Sequence, residues 1–165
     1  MYNEVTGNLI KLAEAGEFDV IAHGCNCFCQ MGAGIAPQMA KAFGVDDFKL
    51  EGDEYKRDFN KLGNIDYEHV GYHPKGAKVG RRLTAVNTYT QFGFGRNHDN
   101  GTEQPLNYYA LGMCLTKINH EFKGQHIGLP MIGCGLAGGD WDVVKEMIKD
   151  LLVDCNVTVV MYDGI

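Results

Sequence analysis

Two glycine-rich turns, each set between a β-type run and a run with helical spacing, constrain this chain more than any other feature. The later one is "LPMIGCGLAGGDW", in which Gly133, Gly135 and Gly138 make a G-x-G-x-x-G pattern. Glycines there let the backbone approach a ligand closely, and the helix that follows turns free N–H groups toward an anion. The earlier one is "HGCNCFCQMGAGIA", residues 23 to 36, where small residues again separate a strand from a helix. Strand carboxyl ends form the ligand crevices of α/β sheets, so the two turns can offer backbone donors to opposite sides of one diphosphate.

The rest of the chain alternates in the same way. "NEVTGNLIKLAEAG" reads as a strand, a Gly7-Asn8 turn and a brief helix ending near Gly16. "FDVIAHGCN" has strand character, and "GIAPQMAKAFG" reads as a helix with Pro37 in its first turn and Gly44 as its stop. A polar helix over "DEYKRDFNKLG" and a strand over "DYEHVGYH" are expected in the middle, then a longer strand over "RLTAVNTYTQF". A long loop, "FGFGRNHDNGTEQP", leads into the helical "PLNYYALGMCLTKINHEF" and the buried-type strand "HIGLPMIG". "DWDVVKEMIKDLL" places Trp141, Val144, Ile148, Leu151 and Leu152 on one side, with Asp140 as its cap. "VTVVMYD" closes the chain as a strand. This order predicts one α/β domain spanning residues 1–165, a sandwich around a largely parallel or mixed sheet.

Composition narrows the function classes. The net charge of -6 argues against general nucleic-acid binding, which relies on cation-rich surfaces. A local basic group, Lys75, Lys78, Arg81 and Arg82, reads as a solvated face or a contact for an acidic partner. The amino terminus lacks a signal-peptide pattern, and no apolar run is long enough to span a membrane. Six cysteines in that context suggest free thiols in a reducing, cytoplasmic setting.

A glycine fingerprint of this type normally opens a dinucleotide-binding domain, yet only two residues follow Asp163, the acidic residue at the expected distance. A nicotinamide oxidoreductase is disfavoured on that ground. Neither turn carries the lysine and Ser/Thr of a P-loop, so triphosphate hydrolysis is unsupported. Cys25, Cys27 and Cys29 are spaced by single residues, which is not zinc-site spacing, and they read better as small side chains in a tight loop. The remaining histidines, His69, His73, His98, His120 and His126, have no metal spacing either. No metal and no cofactor are required. Cys134 fits packing better than thiol catalysis. His23 is open to two roles, proton shuttle or hydrogen-bonded structural residue, and Asp140 likewise to helix capping or activation of water. Asn26 can both donate to and accept from vicinal sugar hydroxyls.

In this order, the two turns resemble the ligand loops of macrodomains. Within that family the chain is similar to the branch of ADP-ribose-1''-phosphate phosphatases and terminal ADP-ribose protein glycohydrolases, phage and bacterial versions included. The resemblance implies a three-layer α/β/α sandwich with a mixed sheet and an ADP-ribose cleft at its crest. It implies that Asn26 holds the distal ribose and that Met31, Gly32, Ala33, Gly34 and Ile35 lie along it. Gly133, Cys134, Gly135, Leu136, Ala137 and Gly138 match the diphosphate loop, while Asn8, Leu9 and Tyr162 fall at the adenine end.

Three departures matter. Gly7-Asn8 replaces the family's Gly-Asp, which loses charge assistance toward the adenine amino group. Gln91 and Ala137 stand near the places of the lysine and aspartate used by lysine-dependent glycohydrolases, so a lysine adduct is not expected. His23 replaces an asparagine of the wider family and, with Asp140, brings the chain nearer the phosphatase-like group. The expected activity is removal of phosphate from ADP-ribose 1''-phosphate, with His23, Asn26 and Asp140 as the catalytic set. Cleavage of ADP-ribose from modified macromolecules or acylated sugar, and ligand reading without catalysis, are the alternatives.

Overall fold

The computed structural model describes residues 1–45, 59–72, 81–96, 98 and 102–164. Six strands form one sheet: β1 (Tyr2–Gly7), β2 (Val20–Asn26), β3 (Ile65–Tyr72), β4 (Arg81–Gln91), β5 (His126–Leu129) and β6 (Asn156–Tyr162). Among the described residues four α-helices connect them: α1 (Leu9–Glu14), α2 (Ala36–Phe43), α3 (Tyr108–Glu121) and α4 (Trp141–Leu151). The strand order is β1-β6-β5-β2-β4-β3. All neighbours run parallel except β3, which pairs antiparallel with β4 from Ile65↔Thr88 to Tyr72↔Arg81. The sheet is therefore mixed, with the one hairpin at its edge.

Both faces of the central strands are covered, which is why their sequences read as near-continuous apolar runs. In β2, Val20 and Ala22 face the layer of α3 and α4, packing with Leu111, Leu115, Ile127, Val144 and Ile148. Ile21 faces the layer of α1 and α2, packing with Leu9, Ala13, Met39, Phe43 and Ala85. Each Val, Leu, Ile, Met or Phe among them, when fully buried, contributes roughly 1.5–3 kcal/mol. The chain is thus a three-layer α/β/α sandwich.

Local chemistry sets the helix ends. Gly44 closes α2 in the left-handed region at φ 66, as its position after the last apolar residue predicts. Asp140 caps α4, its side chain accepting from the Asp142 N–H at 2.9 Å. β5 is shorter than "HIGLPMIG" suggests: Pro130 has no N–H to give to the ladder, and the chain turns at once. Of the polar helix expected over "DEYKRDFNKLG", residues 59–61 form a 3-10 turn and residues 53–58 lie outside the described residues, as do Lys75 and Lys78 of the basic group. Among the described residues no helix is long and apolar enough to cross a membrane.

Candidate functional site

β2 and β5 are neighbours in the sheet, yet the chain leaves them in opposite directions. From β2 it passes through residues 27–35 into α2 and on to β3 and β4; from β5 it passes through residues 130–140 into α4 and β6. That divergence is the topological switch point at which open α/β sheets form ligand crevices. Both glycine turns flank it.

In the first turn, Gly32, Ala33 and Gly34 are exposed, while Met31 and Ile35 pack against the α1–α2 core. The amides of Gly32, Ala33, Gly34 and Ile35 have no acceptor among the described residues. Asn26 is buried, and its amide oxygen receives the Phe28 N–H at 3.1 Å and the Gln30 N–H at 3.3 Å. Its Nδ2 donates to the Gln30 carbonyl at 3.0 Å, so Asn26 also staples the turn that carries it. The Cys27 amide ties the same turn to the end of β4 through the carbonyls of Gln91 at 3.2 Å and Phe92 at 2.8 Å.

The cysteines answer as packing residues. Cys25 and Cys27 are buried with Tyr89 and Phe92, and Cys29 packs at the edge of that cluster. Burial pushes the Cys25 thiol well up, so it stays protonated. No cluster of three metal-binding side chains occurs among the described residues. Cys134, half-buried in the second turn, has its thiol pushed up to about 11 by burial, with the Asp140 carboxylate adding to the effect.

The second turn is held on buried Leu106. The Leu106 N–H donates to the Ala137 carbonyl at 3.0 Å, and Gly133 has φ 74 with Leu106 Cδ1 only 2.8 Å from where a Cβ would stand. Internal bonds from Cys134 N–H to the Met131 carbonyl, 3.1 Å, and from Gly139 N–H to the Gly133 carbonyl, 2.8 Å, fix the loop. They leave the amides of Gly133, Gly135, Leu136 and Ala137 without an acceptor among the described residues. Gly138 donates back to the Gly135 carbonyl at 3.0 Å. Among the described residues, 135–137 thus form a consecutive run of amides without an acceptor in front of a helix, an arrangement suited to an anion. Asp140 ends the loop with an exposed carboxylate, and its N–H donates to the Tyr108 hydroxyl at 2.9 Å.

Asn8 and Tyr162 come together at the far side of the crest, because Gly7 pairs with Tyr162 at the ends of β1 and β6. Tyr162 is exposed, whereas the Asn8 side chain caps α1 by accepting the Lys11 N–H at 3.1 Å. The Leu9 side chain is buried in the core, leaving its backbone as the part nearest the turn.

His23 sits apart from the exposed groups. Its ring is fully buried, with Nε2 2.6 Å from Asn87 Oδ1, and Asn87 in turn donates to the Val45 carbonyl at 2.9 Å. An amide oxygen can only accept, so Nε2 carries the proton and Nδ1 is left without a partner. Burial lowers the ring's pKa to about 4, so His23 is neutral at physiological pH. Asn87 is the residue sequence reasoning missed. Its signal was an amide in the interior of a strand, between Val86 and Thr88. A concavity of about 580 Å³ lies elsewhere, between α3 and α4 beside Tyr109, Met113 and Met147.

No family model matches the sequence. Over 96% of the chain it is 29% identical to an uncharacterised 17.5 kDa protein of Enterobacteria phage T4, of which 95% is covered. The macrodomain of Thermus aquaticus DarG matches with a TM-score of 0.69 at 21% identity, with 99% of each chain covered. Thermosipho africanus DarTG in complex with ADP-ribose matches with a TM-score of 0.72 at 15% identity, covering 96% of this chain and 40% of that one. The fold is therefore the macrodomain fold.

Proposed function

We propose that this chain binds ADP-ribose in the crevice between residues 26–35 and 130–140, and hydrolyses a substituent from its distal ribose. The substrate we favour is ADP-ribose 1''-phosphate, cleaved to ADP-ribose and inorganic phosphate. The observation that carries this reading is the pair of unpaired amide runs, Gly32 to Ile35 and Gly135 to Ala137, on two loops that diverge at the switch point. A diphosphate is the ligand part that such donors fit best. The ADP-ribose complex of a protein sharing this fold supports the same ligand.

In this reading adenine lies toward Asn8, Leu9 and Tyr162, and the diphosphate lies on Gly133, Cys134, Gly135, Leu136, Ala137 and Gly138. The distal ribose lies along Met31 to Ile35 with Asn26 beneath. Asp140 takes a proton from the attacking water, whose oxygen bonds to phosphorus as the bond to the ribose oxygen breaks, and the departing ribose oxygen takes its proton from solvent. The unpaired amides stabilise the charge that develops. The burial and low pKa of His23 support its structural role over the acid role: it holds β2 to β4 through Asn87.

A second reading rests on the open end beyond Asn26. There Phe94 is exposed, stacks edge-on against Phe28 at 5.8 Å, and is followed by exposed Arg96, which leaves room for a larger leaving group. That geometry favours removal of ADP-ribose from a modified macromolecule. The test is a time course of the protein with ADP-ribose 1''-phosphate, following phosphate and ADP-ribose, beside Asp140→Asn. Equal release of both products, lost in the variant with binding retained, supports the phosphatase. Tight binding of ADP-ribose without turnover refutes it, leaving an ADP-ribosylated macromolecule as substrate or ligand.

A further inference from the structure

The register of β2 against β4 breaks between Cys25 and Asn26: Cys25 pairs with Tyr89, but Asn26 pairs with Gln91. Thr90 is the extra residue of this bulge, at the crevice end of the strand. Bulges near functional sites commonly re-aim one side chain. Here the re-aimed group is a hydroxyl. Thr90 is fully buried, and its Oγ1 has no hydrogen-bond partner among the described residues.

A buried hydroxyl without a partner is destabilising, and native structures rarely keep one without a use. Its surroundings point to the use. Thr90 Oγ1 lies 3.1 Å from the position of a Gly24 Cβ, and the Gly133 amide nitrogen lies 4.0 Å from the same point. Glycine at 24 thus lets an unpaired acceptor and an unpaired donor share one side of β2. The donor belongs to the diphosphate loop, at a residue with φ 74.

We propose that Thr90 is a positioning residue for the diphosphate loop: when an anion fills the loop, the Gly133 N–H donates to Thr90 Oγ1. The bond forms only in the bound state, so the free protein carries the unpaired hydroxyl and ligand binding relieves it. The inference rests on the diphosphate reading of this loop. It gives Thr90 a contribution to affinity without contact with the ligand.

Thr90→Val keeps the shape and removes the hydroxyl; Thr90→Ser keeps the hydroxyl. Calorimetric titration with ADP-ribose and thermal unfolding of the free protein separate the two possible roles. The expected result for Thr90→Val is an unchanged or raised melting temperature together with affinity weakened about 3- to 10-fold, the worth of one hydrogen bond. Affinity should return in Thr90→Ser. Wild-type affinity in Thr90→Val overturns this inference alone. A wild-type protein that fails to bind ADP-ribose overturns both it and the diphosphate reading.

Discussion

Gly133→Ala tests whether the second turn is built by its backbone or merely tolerates glycine. Gly133 has φ 74, a conformation that costs a residue bearing a Cβ about 1–2 kcal/mol. The added methyl would also stand 2.8 Å from Leu106 Cδ1 and 3.0 Å from Cδ2, and Leu106 is fully buried with no room to retreat. Overpacking of that kind typically costs about 1–3 kcal/mol. Together the two effects come to about 2–5 kcal/mol, which for a domain of this size lowers the melting temperature by roughly 4–20 °C. Gly135→Ala is the control. No heavy atom lies within 4 Å of its Cβ position and its φ is not positive, so its stability should stay within about 1 kcal/mol of the wild type. Thermal unfolding of the three proteins is the assay. A Gly133→Ala protein that melts with the wild type would refute the argument that φ and Leu106 shape this loop.

The His23 ring should make the protein acid-sensitive. Its folded pKa is about 4 against an ordinary 6.5, so the unfolded chain takes up the proton first as pH falls. Its share of stability is intact above pH 6.5 and declines by about 3 kcal/mol toward pH 4; denaturant unfolding across that range should show the decline, smaller in His23→Gln. Asp140→Asn retains a capping oxygen and should melt like the wild type, whereas Asp140→Ala should lose about 1 kcal/mol. Only an unfolding difference between these two variants is consistent with the cap. Cys134, its thiol pushed up to about 11, should react slowly with iodoacetamide at neutral pH, and Cys134→Ser should turn over substrate normally. Loss of turnover in that variant with ADP-ribose binding intact would restore a thiol mechanism.

Much of the architecture was legible because periodicity and punctuation are local. Gly44 stops α2, Asp140 caps α4, and the alternation of strand and helix patterns implies the sandwich before any distance is known. The two glycine turns were legible for the same reason, since left-handed backbone, as at Gly34, Gly133 and Gly138, favours glycine. Other expectations met non-local facts. "HIGLPMIG" reads as one strand until Pro130 ends the ladder. His23 stays open between proton shuttle and structural residue in a string of letters, because a histidine beside a loop and a histidine beneath one have the same neighbours in sequence.

What the sequence determined alone is the alternation of strands and helices and the position of the two glycine turns between them. Tertiary structure decided which strands are neighbours, and with that where the crevice lies: β2 and β5 meet although α2, β3, β4 and α3 separate them in the chain. It also decided each polar group's partners. Asn87 comes from a distant strand to hold His23, and the bulge at Thr90 exists only as a register between β2 and β4. Hydrogen bonding and desolvation depend on what stands within a few ångströms, and in a parallel sheet those neighbours are always far away along the chain.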